Sequence, residues 1–536
     1  MLKLKSRLSL CLSIILLLLA GGILVSGCGS IKPEKTPLGA ILDPRGSGTP
    51  SLPDLEMPSD ATHTPDTLAL VPVVQEDGSP QPTALPTDSS TPTPGPTETA
   101  VPPLVVTPIA PQFPMMGIEI QNFNDIEQVA QAGAYWVRRN ALLWSVVEPA
   151  EGSRDWGTVA SLERELESIS AYGMQTILIV RGTPSWAQKI LGIHCGPVDS
   201  GKLDAFAAFM HDAVIRYSQP PYNVKYWELG NEPDVDPALA GPGAPYGCWG
   251  DPSDAYYGGG YYAEMLKAVY PAIKSADPDA QVLVGGLLML CDPDNPPDIK
   301  GQPGVKEDCS PSKFMEGVLR NGGGDYFDGV SFHAYDYYFD VLGKYGNGLW
   351  RSSWKTTGPV LIAKAMYLYN LLAKYGYPDK FLMNTEVAAL CGVTGKEDPC
   401  WQEDWTNTKA YHLVEAFTVA ATVELRANIW YSMLGWRGSG LVDAYRQTMP
   451  AYQALVFNTQ MLQGATPWGE VTLYQGVKGF AFQRDRKLIW VLWSLDGQEH
   501  SIPLGALPGA IYNVLGESLT PDLNVTITLS PIYVEW

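Results

Sequence analysis

A chain of 536 residues is long enough for one large domain with smaller parts attached. Hydrophobic residues make up 45% and aromatics 10%, enough for a sizeable core. The formal charge of −21 excludes nucleic acid as a partner, since that role needs clustered Lys and Arg.

The N-terminus reads as an address. Lys3, Lys5 and Arg7 precede a nearly continuous apolar run from Leu8 to Leu24. The run closes on Leu24-Val25-Ser26-Gly27-Cys28, which is similar to a bacterial lipobox. Residues 1–27 are expected to be a lipoprotein signal peptide and Cys28 the lipidated first residue; an uncleaved anchor is the alternative. Either way the remainder is expected outside the cytoplasm, at the cell surface or in the periplasm, tethered to a bacterial membrane. Residues 28–113 shift to Pro, Thr, Ser and Asp, with Thr91-Pro92-Thr93-Pro94 as the extreme. Such a stretch cannot bury enough apolar surface to offset chain entropy, so a disordered stalk is expected. As a coil of about 80 residues it would reach roughly 50 Å.

Strand and helix patterns then alternate. Strands are predicted at Met116–Ile120, Trp136–Asn140, Gln175–Val180, Val224–Leu229, Gln281–Gly285, Asp328–His333, Lys380–Thr385 and Asn428–Met433. Helical periods cover Leu162–Tyr172, Leu203–Tyr217, Tyr261–Ala276, Leu361–Tyr375, Tyr411–Ala421 and Tyr452–Leu462. The repeat predicts an α/β (β/α)₈ TIM barrel over 114–463. No Gly-rich phosphate loop follows the first strand, which disfavours a doubly wound sheet. Over 464–536 short alternating runs (Val471–Tyr474, Gly479–Gln483, Leu488–Trp493, Val525–Leu529, Ile532–Trp536) predict a small C-terminal β-sandwich.

Two strings then stand out on this map: Glu228-Leu229-Gly230-Asn231-Glu232-Pro233 after strand four, and Met383-Asn384-Thr385-Glu386 at the end of strand seven. Each puts a glutamate where an apolar run stops, and carboxylates at the ends of barrel strands face one another. Two facing acids are the apparatus of glycosidic bond hydrolysis. The 16 Trp and 27 Tyr suit sugar stacking, though large cores use aromatics too.

On these residues the chain resembles glycoside hydrolase clan A over roughly 114–536, and within it most resembles family 39. Val137-Arg138-Arg139-Asn140-Ala141-Leu142-Leu143 is similar to that family's strand-two motif, with Asn140 where the family has histidine; Phe332-His333-Ala334-Tyr335 is similar to its strand-six motif. The resemblance implies a retaining O-glycosidase acting on oligo- or polysaccharides, with Glu232 as acid/base and Glu386 as nucleophile. Arg138 is the expected cation beside Glu386, Arg139 being the alternative, since strand parity lets one of them point inward. Asn231 would bond the sugar 2-hydroxyl, Asn140 would line the site, and His333 and Tyr335 would contact the acids and the sugar. Trp430 is a candidate floor for the sugar ring, against core packing or Trp436 in its place. The chemistry calls for no cofactor and no metal. The other classes in contention are a non-catalytic carbohydrate-binding surface lipoprotein and a solute-binding lipoprotein; the second would need two similar lobes.

Beyond Cys11 and Cys28, the cysteines are Cys195, Cys248, Cys291, Cys309, Cys391 and Cys400, all in predicted loops on one face. No C-x-x-C spacing occurs and His194 stands alone, so disulfides are expected rather than a metal cluster. Neighbours in loop order predict Cys195–Cys248, Cys291–Cys309 and Cys391–Cys400.

Overall fold

The computed structural model describes residues 115–239, 244, 246–350, 358–392, 400 and 402–536. The expected signal peptide, the lipidation site Cys28 and the 28–113 stalk lie outside the described residues.

Eight strands form the barrel: β1 (Met116–Glu119), β2 (Trp136–Leu143), β3 (Gln175–Arg181), β4 (Tyr226–Asn231), β5 (Gln281–Leu287), β6 (Gly329–Tyr338), β7 (Phe381–Leu390) and β8 (Ala427–Trp430). Every neighbouring pair is parallel, and β8 returns to β1 to close the sheet. Besides one helical turn at Trp144–Val147, the helices are α1 (Ile126–Gln131), α2 (Ala160–Ala171), α3 (Leu203–Tyr217), α4 (Gly259–Ala276), α5 (Phe314–Arg320), α6 (Leu361–Lys374), α7 (Glu403–Thr422) and α8 (Pro450–Leu462). The predicted (β/α)₈ barrel is the fold observed. The sequence reading missed α1 and α5, of six and seven residues, because neither spans enough turns to show a helical period.

The barrel interior changes character along its axis. Trp136, Ile177, Tyr226, Leu283, Met383, Ala427 and Ile429 pack together at the bottom. Two residues further along the same faces come Arg138 on β2 and Glu228 on β4, joined by Glu119 on β1. Strand alternation carries these charges inward at the C-terminal end, where the loops gather.

β6 and β7 run past their expected ends, pairing from Ala334↔Val387 to Tyr337↔Leu390. Their register slips once: Phe332 pairs with Asn384 but His333 with Glu386, so β7 holds an extra residue there. The same slip separates β7 from β8, between Asn384 and Val387. This bulge turns Glu386 to the interior face together with Thr385. Asn384 sits at the slip, its side-chain amide 3.0 Å from the carbonyl oxygens of both Phe332 and Glu386, contacts that only an N–H can satisfy.

After α8 the chain forms antiparallel sheets: β9 (Thr466–Glu470), β10 (Val477–Arg484), β11 (Lys487–Ser494), β12 (His500–Pro503), β13 (Ala510–Tyr512), β14 (Ser518–Leu519), β15 (Asn524–Ile527) and β16 (Ile532–Glu535). A six-stranded sheet, in the order β9-β10-β11-β16-β13-β14, faces the two-stranded β12–β15 ribbon. Val477, Trp490, Leu492, Ile502, Ile527 and Val534 share the core between them. Val471–Tyr474 is not a strand. The pairing strand is the preceding Thr466–Glu470, whose Pro467, Gly469 and the bulge between them hid it from propensity reasoning. Phe457 of α8 packs on Tyr512 and Tyr533, at 5.3 and 5.1 Å between ring centres, and joins these sheets to the barrel.

Candidate active site

Arg138 organises the site. It is fully buried, and its guanidinium donates to Glu119 and Glu386 at 2.5 Å each, to both oxygens of Glu228 at 2.9 and 3.0 Å, and to Asn231 Oδ1 at 2.6 Å. Arg139 points the other way, to Glu165 on α2 at 2.5 Å. Parity therefore decides between the two arginines, and the inward one is Arg138.

The chain leaves β4 through two left-handed residues, Gly230 at φ +89° and Glu232 at φ +51°. That geometry is unfavourable for glutamate by roughly 1–3 kcal/mol. It is held by the Glu232 amide donating to the Gly286 carbonyl at 2.8 Å. It aims both Asn231 and Glu232 at the centre, whereas a continuing strand would alternate them. Glu232 is 4% exposed and Glu386 2%.

His333 lies between the two acids, its Nδ1 at 2.9 Å from Glu232 Oε1 and 3.4 Å from Glu386 Oε2. Its Nε2 faces Arg138 Nη2 at 3.3 Å. A guanidinium can only donate, so Nε2 accepts and the proton of a neutral imidazole sits on Nδ1, donated to Glu232. Burial, reinforced by Arg138 and Lys364, holds His333 well below its ordinary value and therefore neutral. The imidazole fits only because residue 286 is glycine; a Cβ there would lie 2.1 Å from His333 Nε2. Lys364 of α6, buried behind the wall, donates to the carbonyls of Leu288 and His333 at 2.7 and 2.8 Å, and burial pushes it down to about 8. Tyr335, two residues past His333 on the same face, donates its hydroxyl to Glu386 Oε2.

The two acids differ. Burial raises Glu232 far above the ordinary 4.5, and the negative charges of Glu386 and Asp234 raise it further. Burial also raises Glu386, but the Arg138 charge and hydrogen bonds from Tyr335 and Arg138 pull it back. Glu386 is the one that ionises first.

Glu232, His333 and Glu386 each offer an atom to a common point, and these atoms lie within 4.8 Å of one another. Such a set could hold a cation. Here the Arg138 guanidinium already contacts Glu386, and Arg138 and Lys364 would both repel a dication. The arrangement suits a pair of acids in different protonation states.

Of the expected site residues, Arg138, Asn231, Glu232, His333, Tyr335 and Glu386 converge. Asn140 lines the wall beyond Arg138, accepting from Arg181 Nε at 2.6 Å. Trp430 does not reach the site. Ala427 and Ile429 face the barrel interior, so Trp430 faces the helices; it is fully buried and its indole donates to the Ser439 carbonyl at 2.9 Å. The aromatic residue on the interior face is the next one, Tyr431, whose ring stands edge-on to Tyr335 at 6.1 Å. Trp436 is half-buried in the following loop, against Arg437. Three further residues escaped the sequence reading: Glu119, Glu228 and Tyr431. For Glu228 and Tyr431 the signal was a polar group two positions past an interior apolar residue, Tyr226 and Ile429; Glu119 follows Gly117 and left no such mark.

All three disulfides pair as loop order predicted: Cys195–Cys248, Cys291–Cys309 and Cys391–Cys400. They tie the loops after β3, β4, β5 and β7, which surround the acids.

A closed parallel barrel with paired acids at its C-terminal end is a fold shared with solved glycoside hydrolases. The chain is similar to a family 39 glycoside hydrolase from the gut symbiont Bacteroides cellulosilyticus WH2, at TM-score 0.56 and 20% identity over 78% of this chain and 80% of that one. A conserved exported protein from Bacteroides fragilis matches at TM-score 0.53 and 11% identity, over 80% and 99% of the two chains. A family 30 subfamily 8 xylanase from Clostridium acetobutylicum matches at TM-score 0.51 and 13% identity, over 80% and 96%. No family model matches the sequence, and neither does any curated protein.

Proposed function

We propose that this chain is a retaining O-glycosidase that cleaves oligo- or polysaccharides by double displacement. The observation that carries the reading is the asymmetric acid pair: oxygens of Glu232 and Glu386 within 4.8 Å, one carboxyl held by Arg138 and Tyr335, the other by a neutral His333. Carboxyls in retaining glycosidases stand about 5–5.5 Å apart, against roughly 6.5–9.5 Å where a water must fit between them.

In the first step Glu386 attacks the anomeric carbon while Glu232 gives its proton to the departing glycosidic oxygen. Because Glu232 Oε1 accepts from His333, the transferable proton is on Oε2. A glycosyl ester on Glu386 results. In the second step Glu232, now ionised, takes a proton from water, which attacks the same carbon and releases the sugar. Arg138 keeps the nucleophile anionic before attack and stabilises the carboxylate as it leaves. The like charge of Glu386 raises Glu232 in the free enzyme and vanishes on esterification, so the same residue turns from acid to base. Hydrolysis of aryl glycosides by residues 111–536, with a sugar adduct on the peptide carrying Glu386, is the expected result; a purified chain that cleaves nothing in a broad panel contradicts it.

The same reading includes a lipid anchor at Cys28 and a polar linker that hold the enzyme at a bacterial membrane surface. Radioactive fatty acid should label the full chain and not Cys28→Ala; equal labelling contradicts the anchor.

A further inference from the structure

The turn that carries Glu232 is laced to a later segment of its own loop. Residues 247–250 run antiparallel to 231–235, with Cys248 paired to Asp234. The amides of Gly247, Trp249 and Gly250 donate to the carbonyls of Asn231, Pro233 and Val235, the last two at 2.8 Å. Cys248 is bonded in turn to Cys195, in the loop after β3. That end is rooted as well, because Thr183 holds both neighbours of Cys195. Its amide donates to the His194 carbonyl and its hydroxyl to the Gly196 carbonyl, each at 2.8 Å. Cys195, Cys248, Tyr246 and Val235 pack as a buried apolar cluster on the same turn. The other two bridges each join residues of one loop, 18 and 9 positions apart. Of the three, Cys195–Cys248 is the one that ties the acid's turn to a second strand.

Glu232 needs such support, since its φ of +51° is unfavourable for a residue that bears a Cβ. Glu386 stands apart from the lace, on β7, where Arg138 and Tyr335 hold it. Resting on the glycosidase reading above, we propose that the Cys195–Cys248 bridge is a positioning element for the acid alone. It clamps the Glu232 turn toward the departing oxygen and keeps water from the carboxyl. The charged groups that face Glu232 stay in place when the bridge is cut: Glu386 and Asp234 raise it, and Arg138 and Lys364 lower it. Neutral His333 donates to it, and the phenols of Tyr246, Tyr335, Tyr337 and Tyr431 face it uncharged. What the cut changes is burial, the largest influence on Glu232.

The test compares the full chain with Cys195→Ala/Cys248→Ala on two aryl glycosides of a sugar that the wild type cleaves in a 4-nitrophenyl panel. A 2,4-dinitrophenyl group departs without a proton, whereas a phenyl group needs the one on Glu232. Since kcat/KM reports the first step, the variant should lose about 10- to 100-fold on the phenyl glycoside and under about threefold on the dinitrophenyl one. The alkaline limb of kcat/KM should also move to lower pH, as water reaches Glu232 and its proton is lost sooner. The ratio of the two substrates is internal to each variant, so a general loss of folded enzyme does not imitate the effect. Cys195→Val/Cys248→Ala, which refills apolar volume without the bond, should show the same selectivity. Cys391→Ala/Cys400→Ala should lose both substrates by one factor. Hydrogen exchange, read without substrate, should speed up in peptides covering 231–235 and 247–250 and not in those covering β6 and β7. Equal loss on both substrates, an unmoved alkaline limb or unchanged exchange overturns the clamp and leaves the glycosidase reading intact. A wild type that cleaves no glycoside, with exchange responding as described, overturns the glycosidase reading and keeps the clamp on that turn.

Discussion

Replacing Arg138 by Met keeps the stem that packs in the barrel and removes the guanidinium that three carboxylates share. In the native site Glu119, Glu228 and Glu386 all lie within 3.0 Å of that group, and none is more than 6% exposed. Breaking one buried ion pair by removing a partner costs about 3–5 kcal/mol, against a total stability of roughly 5–15 kcal/mol, so the variant should fold but be strongly weakened. The loss should depend on pH in a direction the structure fixes. Burial already raises Glu119 to about 8 and Glu386 above 4.5 with Arg138 in place; without it both rise further. A carboxyl whose folded pKa exceeds its unfolded one is stabilising at low pH, and that contribution is lost as pH rises from the unfolded to the folded value. The difference between wild type and Arg138→Met, measured by urea unfolding, should therefore be larger at pH 8 than at pH 5. A loss under about 1 kcal/mol, the scale of an exposed pair, or a larger loss at pH 5, would refute this account of the network.

Further outcomes follow from the same geometry. Glu386→Ala should abolish turnover, whereas Glu232→Ala should lose roughly 10²–10⁴-fold on poor leaving groups and far less on good ones, with azide restoring it as a glycosyl azide of retained configuration; equal losses on all leaving groups would contradict the assignment. In the pH profile of kcat/KM, activity falls at low pH as Glu386 takes a proton and at high pH as Glu232 loses one, and burial raises both. The acid limb should lie above the ordinary 4.5 and hold its place in Glu232→Gln, because Glu232 is still neutral when Glu386 titrates; a limb at or below 4.5 in wild type would count against it. Tyr431→Ala should lower the kcat/KM of the folded enzyme by roughly tenfold or more. Trp430→Ala should instead lose about 3–5 kcal/mol of stability from a core cavity, and the reverse pattern would return Trp430 to the site.

The barrel and both acids could be read from sequence because a strand of parallel sheet and a period of 3.6 leave strong marks, and Asn231-Glu232-Pro233 breaks such a strand visibly. What the sequence hid was parity. Glu386 was expected at the end of a strand that in fact runs on to Leu390; it faces inward because of a bulge beside Asn384, and a bulge has no composition of its own. The same sensitivity to one residue placed Trp430 in the site and passed over Tyr431. Glu119 and Glu228 went unnoticed because each is a single acid within an apolar run. Their meaning appears only when the closed sheet brings Arg138 between them. Arg181 and Asn140 lie 41 positions apart, and adjacency of β2 and β3 alone joins them.

The most direct test of the central claim is the anomeric configuration of the first-formed sugar, followed by NMR during hydrolysis by the wild-type enzyme. Acids with oxygens within 4.8 Å, Glu386 held by Arg138 and Tyr335, predict that the first product has the configuration of the substrate and mutarotates only afterwards. A first product of opposite configuration would mean that water attacks directly between the carboxyls. Glu386 would then be a base and not a nucleophile, and the double-displacement account would fall.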